Sequence, residues 1–377
     1  VLAFSVLIVV ACLLVLWAGW LWYPSRMARR GLSAPPIRAV APSNAPPVSI
    51  ILATRESDEA ISARIANLRT QAYPQDRVDV IVALDLSRAG DRATVQAALG
   101  QRARVVAAAG PGKSSALNAG VAAARADLLL FVDTAQTFAP DVLRHLTAVL
   151  ADPQWGAVTA TLSATSGDAL MDRYWQRELA IRIGQTDRHS VICVTGCAYL
   201  MRRSLWRDMP ASLICDDLWS TYSVLTSGSR VAITKQALVT DPRRFGREQE
   251  FDRRLRTMTG MLQFILWFPD VLRPTRNPMF ADFLLHKLVR PATPVLLIVA
   301  TLAILAIVAL WSPPVAGALA ALAVLIALLP LLLSRLATGR LARRARTVVF
   351  AQRLLLMPLR AIAQAARGDW DVWKPHP

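Results

Sequence analysis

The chain opens on an uncharged apolar run, Val1 to Tyr23, which gives way to Arg26, Arg29 and Arg30. About 20 apolar residues cross a bilayer, so this run predicts a membrane helix. A secretory leader is shorter and ends at a small-residue cleavage site, so a permanent anchor is expected. After a Pro-, Ala- and Ser-rich stretch comes Val48–Ala53 (VSIILA), the continuous apolar run of a strand buried on both faces. Between 58 and 71, Ile61, Ile65 and Leu68 recur at helical spacing. The pattern then predicts a strand over 78–84, a helix over 91–99, a strand over 104–108, a helix over 114–125 and a strand over 128–132 (LLLFV). Strands alternating with helices predict a parallel α/β sheet.

Farther along, 258–268 and 280–289 are apolar with polar interruptions. They read equally as helices lying on a membrane surface and as amphipathic core helices. Two uncharged runs, 294–311 and 315–333, are separated by Ser312, Pro313 and Pro314 and predict a membrane hairpin. Arg335, Arg340, Arg343, Arg344 and Arg346 follow. The expected division is an anchor over 1–23, a linker over 24–47, a catalytic-type domain over 48–250, an arginine segment with interfacial helices over 251–290, a hairpin over 291–334 and a basic tail over 335–377. Both arginine clusters then mark the cytoplasmic side, which places the central domain there, on the inner (plasma) membrane.

Charge narrows the partners. The 377 residues carry a formal net charge of +17, which suits anionic headgroups and nucleotide substrates. No nucleic-acid module is visible, so nucleic acid is not an expected partner. A transporter is disfavoured because the three expected spans hold no internal acid or base. Cys12, Cys193, Cys197 and Cys215 lack the pairing of a zinc site and read as reduced, packed thiols.

The chemistry-bearing residues fall in a definite order. Asp85 and Asp133 each follow an apolar strand, and loops at strand ends of such sheets hold ligands. Gly110-Pro-Gly-Lys-Ser114 looks like the end of a phosphate-binding loop, but Ala107 stands where its first glycine belongs. What remains is Lys113 at a helix start, where its charge adds to the helix dipole beside a phosphate. Asp133 can reach a diphosphate-bound cation or a ribose hydroxyl, or simply form a turn. Asp216 and Asp217 open a helical run, so they suit either a division into structural acid and general base or a plain helix cap. Arg253 and Arg256 stand three apart and face one way, toward phosphate or toward lipid headgroups.

Taken together, these stretches resemble the membrane-bound family 2 glycosyltransferases, the group of cellulose, hyaluronan and poly-N-acetylglucosamine synthases and ceramide glucosyltransferase-like enzymes. The resemblance spans nearly the whole chain. Ser49 to Arg55 looks like the family's opening strand and nucleotide loop, with Thr54 and Arg55 beside the donor. Asp85 matches its nucleotide-contacting acid, and Lys113 with Ala116-Leu-Asn118 its Lys-x-x-Ala-Leu-Asn segment. Asp133 falls on the first acid of Asp-x-Asp, the expected metal ligand. Thr195-Gly196 and Arg202-Arg203 resemble the Gly…Arg-Arg segment before the acceptor site. Asp217 falls on the base of Thr-Glu-Asp, with Asp216 in place of the Glu. Arg256 falls on the Arg of Gln-x-x-Arg-Trp, with Arg253 in place of the Gln. The resemblance implies a GT-A fold, a UDP-sugar donor, Mg²⁺ or Mn²⁺, a lipid or glycan acceptor and inversion at the anomeric carbon.

Three departures shape the expectation. Ala135 stands at the second acid of Asp-x-Asp, so metal binding is weaker, borrowed from an oxygen such as Gln136, or absent. Arg253 and Thr257 replace Gln and Trp, and the 54–58 loop reads T-R-E-S-D. A non-processive transferase is expected. The alternatives are a processive polysaccharide synthase and a catalytically silent sugar-nucleotide-binding subunit.

Overall fold

The computed structural model describes residues 1–40, 44–163, 169–243, 246–368 and 370. Parts of the expected linker (41–43) and tail (369 and 371–377) lie outside the described residues. Among the described residues, eight strands form one mixed sheet: β1 (Val48–Thr54), β2 (Val78–Leu84), β3 (Arg104–Ala107), β4 (Leu128–Val132), β5 (Thr137–Phe138), β6 (Trp155–Ser163), β7 (Ala198–Arg202) and β8 (Arg230–Thr240). Their spatial order is β3-β2-β1-β4-β7-β6-β8-β5. The β3-β2-β1-β4 half is parallel, and β7 runs antiparallel to both β4 and β6.

Alternation explains why these strands read as largely apolar runs. Ile50 and Leu52 of β1, with Val80, Val82 and Leu130, enter the core on one face. Ile51, Ile81, Leu129 and Phe131 enter a second core on the other. Both faces are covered, so nearly every position is apolar, Ser49, Thr54 and Asp79 being the exceptions in β1 and β2. The first core is closed by the helices Asp58–Arg69, Arg92–Leu99 and Val142–Leu150. Ser57 caps the first of these, its side chain accepting from the Ala60 amide. The second core is closed by Gly112–Ala123, Asp216–Thr226 and Arg247–Trp267.

Register fixes the site. Thr54 pairs with Leu84, and Leu52 with Val132. The carboxyl ends of β1, β2 and β4 are therefore level, and Thr54, Asp85 and Asp133 emerge along one edge.

Four helices among the described residues are long and apolar enough to cross a membrane: Leu2–Ser33, Phe280–Trp311, Pro313–Leu336 and Gly339–Ala366. Three sequence expectations change here. The first helix continues to Ser33, so 24–33 is not linker. Past Pro24 the helix is amphipathic: Met27 and Ala28 pack on Ala180 and Ile181 of the helix Ala169–Arg188, and Arg30 reaches Asp187 at 2.5 Å. Residues 280–289 are not a separate interfacial helix but the opening turns of Phe280–Trp311, while 258–267 packs as core through Met261 and Phe264. The expected basic tail is mostly a fourth long helix. Four of its six arginines crowd the first turns, and beyond them Phe350, Leu354, Met357 and Ala361 pack on Phe251 and Leu255 of the arginine helix.

Candidate active site

Lys113 stands at the centre. The chain turns sharply at Gly112, whose φ of +86° suits glycine, and starts the helix that carries the lysine. The ammonium nitrogen lies 2.8 Å from Asp133 Oδ1 and 3.2 Å from Asp216 Oδ2. Burial works against the lysine's charge, but the two carboxylates overcome it and hold its pKa well above the usual range. Burial likewise pushes Asp216 up, against the pull of Lys113 and with the repulsion of Asp217 and Asp133.

The two adjacent acids face different partners. Asp216 is buried against Lys113. Asp217 is half-buried: its Oδ1 accepts from the Leu218 amide at 2.9 Å and its Oδ2 from the Cys193 thiol at 3.2 Å. Asp85 uses Oδ1 to accept from the Ser87 amide and hydroxyl, at 3.0 and 2.7 Å. Its Oδ2 is buried without a partner among the described residues. Thr54 Oγ1 accepts from Thr134 Oγ1 and the Glu56 amide, joining the loops after β1 and β4. Arg55 follows it, half-buried.

The arginine helix packs against the residues that lead into the two acids. At Gly260, an added Cβ would stand 2.6 Å from Ile214 Cγ2 and 2.7 Å from Cys215 Sγ, so only glycine allows this contact. The Cys215 thiol is 3.6 Å from the Thr257 carbonyl. One turn away is Arg256, half-buried, with no side-chain hydrogen bond or ion pair among the described residues. Burial lowers its pKa, while the charges of Asp216 and Asp133 oppose that shift, so it lies within electrostatic reach of both.

Two expected ligand-binding residues are otherwise engaged. Asn118 spends both ends of its amide on Met209, donating to the carbonyl at 2.8 Å and accepting from the amide at 3.0 Å. Arg253 forms a two-pronged pair with Glu250, at 2.9 and 3.1 Å. The first braces the 206–215 loop, and the second is held along its own helix.

Sequence reasoning missed Cys193, which carried no metal or redox spacing, and Arg182, hidden among the other charges of its helix. Arg182 donates to the Thr195 hydroxyl and the Cys193 carbonyl, each at 2.9 Å. Gln136, which the sequence offered as a substitute metal oxygen, belongs to a group whose other members, Asp241 and Arg243, were missed. Gln136 donates to Asp241 at 2.8 Å and Arg243 caps the same carboxylate.

Residues 46–260, more than half of the chain, match the family described as "Glycosyltransferase like family 2". The chain belongs to that family. This family 2 member is 29% identical over 217 residues to an N-acetylglucosaminyltransferase of Rhizobium meliloti (strain 1021), covering 52% of the chain and 50% of the relative. It therefore spans about half the length of that curated relative. Among solved structures it resembles the mannosyltransferase PcManGT from Pyrobaculum calidifontis, in complex with GDP-Man and Mn²⁺, with TM-score 0.68 and 22% identity over 95% of this chain and 98% of that one. The curled mixed sheet with flanking helices is a GT-A fold.

The donor set suits a divalent cation only in a restricted way. Ala135 removes one acid, and among the described residues no three His, Cys, Asp or Glu side chains converge. Asp133 remains. Mg²⁺ is commonly held by one or two carboxylates together with substrate phosphates and water. The residues thus fit a cation that arrives with the diphosphate and do not form a preformed cage.

Proposed function

We propose that this family 2 protein transfers a sugar from a nucleoside diphosphate sugar to a lipid or glycan acceptor at a membrane surface, with inversion. The observation that carries this reading is the separation of the two acids. Asp216 is tied to Lys113 and Asp133, while Asp217 is held apart by Cys193 and the Leu218 amide.

In this reading Lys113 and Arg256 present positive charge to the donor's diphosphate, and Asp85 and Thr54 line the nucleotide end. Asp217 takes the proton of an acceptor hydroxyl as its oxygen bonds to the anomeric carbon. The bond from that carbon to the diphosphate oxygen breaks, and the nucleotide leaves with the electron pair. Attack opposite the leaving group inverts the centre. Asp133 would hold Mg²⁺ or Mn²⁺, which supplies further charge neutralisation to the leaving diphosphate.

UDP-sugars are the proposed donors. Thr257, where processive relatives carry Trp, supports transfer of one or few sugars. Arg26, Arg29 and Arg30 at the end of Leu2–Ser33, with Arg335 at the end of Pro313–Leu336 and Arg340, Arg343, Arg344 and Arg346 at the start of Gly339–Ala366, support a cytoplasmic catalytic domain.

The test is nucleotide release from purified protein over a panel of UDP- and GDP-sugars with lipid and glycan acceptors. Asp217→Asn should abolish transfer and leave nucleotide affinity nearly intact. Turnover retained by that variant removes Asp217 as the base, and long polymer from the purified protein removes the non-processive assignment.

A further inference from the structure

Asp217 has two neighbours that the proposed reaction does not use, and both come from one segment. The Cys193 thiol donates to Oδ2 at 3.2 Å. The next residue, Val194, donates its amide to Thr221 Oγ1 at 2.9 Å, and that hydroxyl in turn donates to the Asp217 carbonyl at 2.6 Å. The segment therefore touches Asp217 both at its side chain and, through Thr221, at its backbone.

The segment is itself fixed from below. Arg182 grips the Cys193 carbonyl and the Thr195 hydroxyl, and the Thr195 amide donates to Thr159 Oγ1 of β6 at 2.8 Å. A donor on such a support holds its acceptor in one place, because the support has little freedom of its own. The thiol stays protonated at any working pH: burial and the nearby Asp217 charge push its pKa up to about 12. It therefore remains a donor and does not become a competing anion or nucleophile.

We propose that Cys193 is a positioning residue for Asp217, its thiol and the Leu218 amide pinning one oxygen each so that the free lone pairs face the acceptor hydroxyl. This rests on Asp217 being the base. A thiol suits the task because it is a weak donor. It orients the carboxylate while withdrawing less of its proton affinity than a hydroxyl or a cation in the same place. Packing alone does not need this geometry, since a methyl-sized group fills much of the same volume.

The test uses the full chain and two variants, with kcat and KM measured at saturating acceptor and nucleotide affinity by calorimetry. Cys193→Ala should lower kcat by about 10-fold, the scale of one hydrogen bond to a charged group. Donor KM and nucleotide affinity should stay within about 2-fold, well under the energy of such a bond. Cys193→Ser, which restores a donor, should return kcat to within about 3-fold of the parent. Wild-type kcat in Cys193→Ala overturns the proposal, and so does a serine variant as slow as the alanine one. A parent enzyme that turns over no donor, or an active Asp217→Asn, overturns the base assignment instead, so the two failures are told apart.

Discussion

Lys113 holds its ammonium 2.8 Å from Asp133, and the same nitrogen reaches Asp216 at 3.2 Å. The lysine thus joins the loop after β4 to the helix that carries the proposed base. Its pKa is raised, so the linkage is whole below the ordinary lysine range and fades only as pH rises through a still higher native value. The lysine therefore keeps its charge across neutral pH, and the pH sensitivity of the contact rests with Asp216, whose pKa burial raises. Lys113→Gln should cost about 2 kcal/mol of stability, less than a fully buried pair because Asp133 keeps some exposure. It should also weaken nucleoside diphosphate binding by at least about 10-fold, as expected on losing a charge-assisted contact to phosphate. Calorimetry with the free nucleotide reads the second effect, and unchanged affinity would show that Lys113 only braces the two acids.

Ala135 offers a gain-of-function test. If the cation is held by Asp133 and the substrate alone, a second carboxylate at the end of β4 should strengthen it. Ala135→Asp should raise Mn²⁺ affinity in the presence of nucleotide by about 10-fold or more, the effect of adding a charged oxygen ligand. Electron paramagnetic resonance of free Mn²⁺ measures this without turnover. Chelation of metal should weaken nucleotide binding more in the variant than in the parent.

The part of the fold legible in the sequence was the part where one rule dominates. β1, β2 and β4 are buried on both faces, so each reads as a largely apolar run, interrupted only near its start by Ser49 or Asp79, and is followed by an acid or loop of the candidate site. β6 and β8 escaped because Thr159, Thr161 and Thr234 sit inside them, buried but satisfied by hydrogen bonds to backbone that no pattern reveals. Lys113, Asp133, Asp216 and Asp217 were legible from their places at element ends. Asn118 and Arg253 match the same motifs yet turn to Met209 and Glu250, because a side chain takes the partner within reach. Cys193 was invisible since its role depends on Asp217, far away in the chain. The fourth long helix was hidden by its arginines, four of them gathered in its first turns, which disguise the apolar face it packs on the arginine helix.

The join between the catalytic domain and the apolar helices should be acid-sensitive. Glu178 stands 3.1 Å from Arg290 Nη1, with His286 Nε2 at 3.3 Å. Burial alone would raise its pKa, but His286 and Arg290 outweigh it and lower it from 4.5 to about 2. A depressed carboxylate gives stability that is complete above the unfolded value and is lost as pH falls through the native one. The expected window runs from about pH 4.5 down to about 2, and the amount is about 3 kcal/mol. Glu178→Gln should lower the melting temperature in detergent at pH 7 and flatten its dependence across that window. Equal acid sensitivity in both proteins would place the titration elsewhere.

Gly260 tests whether the arginine helix must lie hard against the acidic helix. The alanine methyl would stand 2.6 Å from Ile214 and 2.7 Å from Cys215, distances that force one side to move. Overpacking of this kind costs about 1–3 kcal/mol when the surroundings cannot yield. Here they yield poorly, because the far side of the arginine helix is held by Gly339–Ala366. Arg353 forms a paired bridge to Glu248 at 2.7 and 2.8 Å, and Thr259 donates to Gln364 at 3.0 Å. Strain at Gly260 should therefore pass into residues 214–217 and displace Asp217 from the acceptor. Gly260→Ala should lower kcat by about 10-fold or more, in line with the cost of a small misplacement of reacting groups. Breaking the outer clamp with Gln364→Ala should restore part of that loss, since the arginine helix can then retreat. Additive losses in the double variant would show that the two contacts act independently and that the fourth long helix does not set the position of Arg256.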